Sequence, residues 1–167
     1  MRVNGHFSLR QDCLSFLISL PTPSKLSQLE YVADYSSGLQ VISISNPASP
    51  ILVGSCDTPD RAYGVYVSGT YAYVADYSSG LQVIDISDPA NPTLAGSCDT
   101  PDCALGVYIS GPYAYVADAY SGLQVIDISD PANLSLAGSY GMPDSAEGVY
   151  VSGAYAYVVD YSSGLQI

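Results

Sequence analysis

One carboxylate comes back along the chain at a fixed interval of 42 residues, as Asp34, Asp76, Asp118 and Asp160. A tyrosine accompanies each: Tyr35, Tyr77, Tyr120 and Tyr161. If the chain folds as antiparallel hairpins, these residues emerge on one rim, together with Asp57, Asp60, Asp99, Asp102 and Asp144. Repeated carboxylates and aromatics on one rim could bind a cation, a basic peptide or a sugar, because Tyr offers broad contact at low entropic cost. The plainer reading has each Asp accepting backbone N–H bonds in its own hairpin and each Tyr covering a neighbour. No copy carries an acidic cluster of the DxDxDG kind, so no metal site is expected, calcium included. Asp85 and Asp88 fall on the opposite rim and read as turn formers.

Catalytic chemistry finds little support. The one histidine is His6, outside the repeated part, and no GxSxG elbow or phosphate-cradling loop is present. Acid–base catalysis needs groups held in different environments, whereas near-identical copies supply one environment repeatedly. The chain therefore reads as non-catalytic, with no cofactor. Of the cysteines Cys13, Cys56, Cys98 and Cys103, the second and third are equivalent sites in adjacent units. Stacked sheets stand about 10 Å apart and a disulfide needs Cα atoms within about 7 Å, which argues against that pair. Cys98 and Cys103 flank the turn DTPD and could meet. Paired CxxC metal spacing is absent.

Charge narrows the partners. From residue 31 onward 14 acids face one base, Arg61, a net of −13. Such a surface repels phosphate backbones and anionic lipid, so no nucleic-acid partner and no membrane insertion are expected. A protein or carbohydrate ligand fits better. The same charge also keeps a Tyr-rich chain of mean hydropathy +0.20 in solution. Abundant Tyr, Ser, Gly and Asp with scarce Lys suit an extracellular or cell-surface setting.

The elements that must position these residues follow from the repeat. Tyr31, Tyr73, Tyr115 and Tyr157 each open a copy, and 31 of 42 positions are identical between Tyr73–Ala114 and Tyr115–Ala156. A period in the forties signals one supersecondary unit used repeatedly. One unit reads as four strands, at Ala62–Ser68, Tyr71–Asp76, Leu81–Ser87 and Thr93–Cys98, with Gly, Pro, Asp and Ser between them. In the second and third strands both alternating faces carry apolar residues, the pattern of a sheet covered on both sides. Four-stranded leaves packed around an axis meet that demand. Gly64 and Gly96 are expected at close backbone approaches or bulges.

These residues carry a family resemblance. GLQVIDISDPANP, at residues 80–92, resembles the LVIVD repeat, and the same core stands at Leu39–Ser43, Leu81–Asp85 and Leu123–Asp127 and begins again at Leu165. The resemblance covers residues 31–167. It implies a β-propeller-like fold and a bacterial or archaeal surface or secreted protein, and it brings no activity or active site. The first copy departs from it, with Ser43 and Asn46 in place of the acids at Asp85 and Asp88.

The expected architecture is all-β: a propeller-like array of four-stranded antiparallel blades, incomplete at both ends. A partial blade is expected at residues 31–58, full blades at 62–99 and 104–141, and a partial blade at 146–167. Propellers use four to eight blades, so this reads as an arc cut from a longer protein, or as a ring completed by a second chain. An arc leaves an apolar sheet face open at each end, which favours self-association. Residues 1–30 do not match the repeat. Cys13–Leu20, CLSFLISL, is a short apolar run behind Arg2 and Arg10. It reads as a degenerate signal or a mis-placed start, too short to span a bilayer. The expected function is a non-catalytic binding scaffold, with a structural spacer or a fragment of a longer propeller as the alternative.

Overall fold

The computed structural model describes residues 28–167, which form four antiparallel sheets and no helix. The expectations for the leader, His6 and Cys13 lie outside the described residues. The first sheet holds β1 (Leu29–Ala33), β2 (Leu39–Ser43) and β3 (Ile51–Cys56). The second holds β4 (Gly64–Ser68), β5 (Tyr71–Ala75), β6 (Leu81–Asp85) and β7 (Thr93–Cys98). The third repeats it with β8 (Gly106–Ser110), β9 (Tyr113–Ala117), β10 (Leu123–Asp127) and β11 (Ser135–Tyr140). The fourth holds β12 (Ala146–Ser152), β13 (Tyr155–Asp160) and β14 (Gly164–Gln166). Each sheet is a meander in which consecutive strands are hydrogen-bonded neighbours.

The first sheet begins earlier than the repeat pattern suggests. Leu29 pairs with Ser43 and Glu30 with Ile42, two residues before Tyr31. Ladder bonds use backbone groups, so pairing continues where side-chain similarity has stopped. Glu30 takes the place that buried Ala72 holds in the second sheet, and it is exposed.

The central sheets are covered on both faces. Tyr73, Ala75, Leu81 and Val83 of the second sheet pack in one cluster with Ala114, Val116, Ile126 and Ile128 of the third. The other face of the second sheet sends Ala72, Val74, Ile84 and Ile86 into a cluster with Leu39 and, at its margin, Tyr31 and Ala33 of the first. Val159 and Leu165, by contrast, are exposed on the fourth sheet.

The second, third and fourth sheets converge at their first strands. A Cβ on Gly64 would stand 3.3 Å from the Gly106 Cα, and one on Gly106 would stand 3.1 Å from the Gly148 Cα. Only glycine lets three backbones come this close in succession. Beside these glycines the rings of Tyr66, Tyr108 and Tyr150 interlock edge to face, with centroids 4.9 and 5.0 Å apart. Each last complete strand carries a bulge. Val83 pairs with Gly96 and Ile84 with Leu94, leaving Ala95 as the extra residue. Gly96 then lies against the Pro131 carbonyl of the next sheet.

Candidate functional site

In the second and third sheets the recurring aspartate directly follows the second strand, where the chain turns into the third; Asp34 follows β1 and Asp160 ends β13. Ser79 N–H donates to the Asp76 carbonyl (2.9 Å) and Asp76 N–H to the Gly80 carbonyl (2.8 Å), closing a tight turn. The Asp76 side chain points away from solvent and is fully buried. The Thr58 hydroxyl donates to its Oδ1 (2.6 Å) and the Asp60 N–H to its Oδ2 (2.9 Å). Thr58 and Asp60 belong to the loop that leads from the first sheet into the second. The third sheet repeats the arrangement, with Asp118 accepting from the Thr100 hydroxyl (2.6 Å) and the Asp102 N–H (3.1 Å). In the fourth, Asp160 accepts from the Asp144 N–H (3.0 Å) and the Ser163 N–H (2.7 Å), and Met142 stands where threonine stood.

Three of the four candidate aspartates are thus fastened inside the rim. Asp34 is exposed. Burial pushes the carboxyls of Asp76 and Asp118 above their ordinary value, against the pull of the Thr and N–H donors. Asp160 is also desolvated, but donors from Ser163 and Asp144 outweigh burial and hold it below the ordinary value. The rim loops interlock further, since the Asp60 carboxylate accepts the Ser78 N–H (3.3 Å) and hydroxyl. Asp102 likewise accepts the Tyr120 N–H (3.1 Å). Among the described residues no three His, Cys, Asp or Glu side chains converge as metal ligands would.

The tyrosines divide into two kinds. Tyr35 and Tyr77 have left-handed backbones, at φ 45° and 48°, and Ala119 shares that conformation at 41°. Tyr35 and Tyr77 each form a reciprocal two-bond bridge to the start of the next sheet, while Ala119 accepts a single bond there from the Ala146 N–H (2.9 Å). Tyr77 N–H donates to the Ala104 carbonyl (3.1 Å) and Ala104 N–H to the Tyr77 carbonyl (2.9 Å). Tyr120 sits one residue further on, in the place of Ser78, and is exposed like Tyr161. The thiols of Cys56, Cys98 and Cys103 are free, so Cys98 and Cys103 do not pair.

A group that the spacing of the acids did not reveal lies on the same rim. The Arg61 guanidinium carbon stands 5.1 Å from the Tyr35 ring centroid and 5.3 Å from that of Tyr77. Tyr63 meets the edge of Tyr35 at 5.6 Å and stacks on Tyr77 at 5.4 Å. A signal was available, since Arg61 and Tyr63 occupy places where the repeats disagree, with Cys103 and Leu105 and then Ser145 and Glu147 as counterparts. Burial and the neighbouring Tyr35 raise the Tyr63 phenol, and the Cys103 thiol beside its hydroxyl raises Tyr77, so both are neutral hydroxyls near neutral pH.

Four small antiparallel sheets in series, the last three converging at their first strands and neighbours bridged along one rim, define a β-propeller-like repeat protein. The chain belongs to the LVIVD repeat family, whose repeat matches residues 30–58, 60–100, 103–141 and 143–167. Among solved structures it is similar to the computationally designed Ika4 protein, at 12% identity and a TM-score of 0.65, over 86% of this chain and 84% of that one. It is also similar to the computationally designed Ika8 protein, at 12% identity and a TM-score of 0.63, over 86% of this chain and 43% of that one. The chain therefore spans less than half the length of Ika8. At these identities the likeness concerns the fold alone. No curated protein matches the chain.

Proposed function

We propose that the chain is a non-catalytic binding scaffold of a secreted or cell-surface protein, engaging a protein or carbohydrate through its tyrosine-bearing rim. One observation carries this reading. The recurring carboxylates Asp76, Asp118 and Asp160 are taken up by hydrogen bonds between loops, while the tyrosines at Tyr35, Tyr120 and Tyr161 remain exposed on that rim. What the rim offers a partner is aromatic surface on tight turns, with Asp76, Asp118 and Asp160 turned inward. The balance of 14 acids to one base beyond residue 30 disfavours nucleic acid and anionic membrane as partners. Asp76, Asp118 and Asp160 are buried and hold hydrogen bonds from their own loops, which disfavours their use as acids or bases toward a substrate. The family and the Lys-poor, Tyr-rich composition favour an exported setting.

The test is an array of glycans and peptides probed with the whole chain. Reproducible binding should survive Asp76→Asn with Asp118→Asn, which leaves the rim surface unchanged. It should fall at least tenfold when Tyr35, Tyr120 and Tyr161 are all changed to Ala. Silence across the array would replace this reading with that of a structural spacer.

A further inference from the structure

The repeat is broken at a few positions on the rim. Counterparts of Arg61 are Cys103 and Ser145, those of Tyr63 are Leu105 and Glu147, and Ala119 replaces tyrosine at the third junction. Only the junction of the first and second sheets therefore brings together one guanidinium and three phenols. Arg61 is the sole base after residue 30, and it is exposed, as are Tyr35 and Tyr63.

We propose that Arg61, Tyr35, Tyr63 and Tyr77 form a binding site for the carboxylate-bearing end of a glycan, a terminal hexuronate residue. The proposal rests on the reading of the chain as a binding module and names its ligand. The guanidinium carbon lies over two aromatic rings, 5.1 and 5.3 Å from their centroids. The Tyr63 hydroxyl is hydrogen-bonded to the guanidinium, whose remaining N–H groups are left for a partner. Two parallel N–H groups of a guanidinium match a carboxylate with two hydrogen bonds. The exposed ring of Tyr63 offers a flat apolar surface beside it, with a neutral hydroxyl at its end. A pyranose ring with an equatorial carboxylate has both complements, an apolar ring face and a planar anion at its edge.

The surroundings select for a single charge. The net of −13 beyond residue 30 repels a polyanion, and salt screens the charges beyond about 8 Å. Asp60, next to Arg61 in the chain, keeps its charge but turns its carboxylate to the Ser78 N–H and hydroxyl, so the one guanidinium can offset a single further negative charge at most. The site is thus suited to a uronate capping an otherwise neutral oligosaccharide.

Calorimetric titration of the whole chain with a glucuronate-terminated tetrasaccharide and with its glucose-terminated counterpart tests this. The acidic sugar should bind at least tenfold more tightly than the neutral one. Arg61→Gln should erase that preference with the melting temperature held within a few degrees. Arg61→Lys, which keeps the charge and loses the fork, should weaken the acidic sugar at least fivefold, and it serves in its place if Arg61→Gln fails to fold. Tyr63→Ala should weaken both sugars. Equal binding of the two sugars, or a preference untouched by both arginine variants, overturns the site. Tighter binding of an acidic peptide than of the uronate overturns the ligand class. If neither sugar binds while the array yields another ligand, this inference fails and the binding-module reading stands.

Discussion

Asp76 and Asp118 are buried carboxylates whose folded-state pKa lies above the ordinary 3.8, mainly through desolvation. A raised carboxylate makes the folded chain bind its proton at higher pH than the unfolded chain does. Its contribution to stability therefore grows as pH falls through the folded value and is complete below 3.8. Asp85, Asp88, Asp127 and Asp130 are pulled below 3.8 by side-chain and N–H donors in their own turns, and Asp160 by donors that outweigh its burial. Their contribution is present above 3.8 and is lost as pH falls through their folded values. Urea midpoints should accordingly rise from pH 7 toward the region just above 3.8 and drop below it. The double variant Asp76→Asn, Asp118→Asn should lose the rising limb and keep the falling one. A midpoint falling steadily from pH 7 in the native chain would refute the assignment. Asp118→Ala leaves the Asp102 N–H and the Thr100 hydroxyl without their acceptor and should cost about 2–3 kcal/mol in the same measurement. The recurrence of these acids was plain in the sequence, and their direction was not. Alternation assigns faces within a strand, but Asp76 follows the last residue of β5, where the chain is already turning. The threonine that receives it lies 18 residues earlier in a loop, a distance over which no local pattern operates.

At the level of strands and turns the repeat serves as its own control. Gly96 and Gly138 occupy the same place in β7 and β11, each pairing across the bulge. A Cβ on Gly96 would stand 2.2 Å from the Pro131 carbonyl oxygen, while one on Gly138 would meet nothing within 4 Å. Gly96→Ala should therefore lower stability by about 3 kcal/mol, at the upper end for overpacking against backbone. Gly138→Ala should stay within about 0.5 kcal/mol, as surface changes usually do. Equal effects in denaturant titrations would mean that the second and third sheets are not packed as described. The turn after the second strand offers the opposite sign. Ala119 holds φ 41°, a conformation that costs an L-residue roughly 1–2 kcal/mol. Ala119→Gly should raise the urea midpoint by an amount equivalent to about 1 kcal/mol, and a fall would show that the buried methyl matters more than the strain. Apart from the start of β1 at Leu29, the strand positions were legible, as were the bulge glycine and the convergence glycine, because two-residue alternation and Gly placement are local signals. The bridges from Tyr35, Tyr77 and Ala119 to Ala62, Ala104 and Ala146 were not, because they use backbone groups that any side chain can carry. The cluster around Arg61 was hidden for a related reason. Reading for what recurs draws attention away from the residues that break the recurrence.

Over the whole molecule the repeat makes one interface several times. The face on which the second sheet presents Ala75, Leu81 and Val83, each 0% exposed, is covered by the third sheet. The same face of the fourth sheet presents Val159, Leu165 and Ile167 at 50, 60 and 77% exposure. At the other end the first sheet turns outward the face that in the second carries Val74, and its counterpart Val32 is 40% exposed against 0%. These two outward faces are the two halves of the contact that already joins neighbouring sheets, so the last sheet of one chain can receive the first sheet of another. Such a contact is head to tail, and it closes into a ring or extends into a filament according to its rotation. Glu30 stands on the first sheet's outward face, where the second sheet has Ala72, so docking of that face must desolvate a carboxylate. Sedimentation velocity should show the 17.5 kDa chain associating as its concentration rises. Glu30→Ala should tighten association at least tenfold. Leu165→Lys with Val159→Lys should abolish it, while Leu94→Lys, on an exposed site of β7 away from both outward faces, should change little. A chain that stays monomeric at about 100 μM, where contacts weaker than roughly −5.5 kcal/mol go undetected, would show that these faces do not meet their own kind.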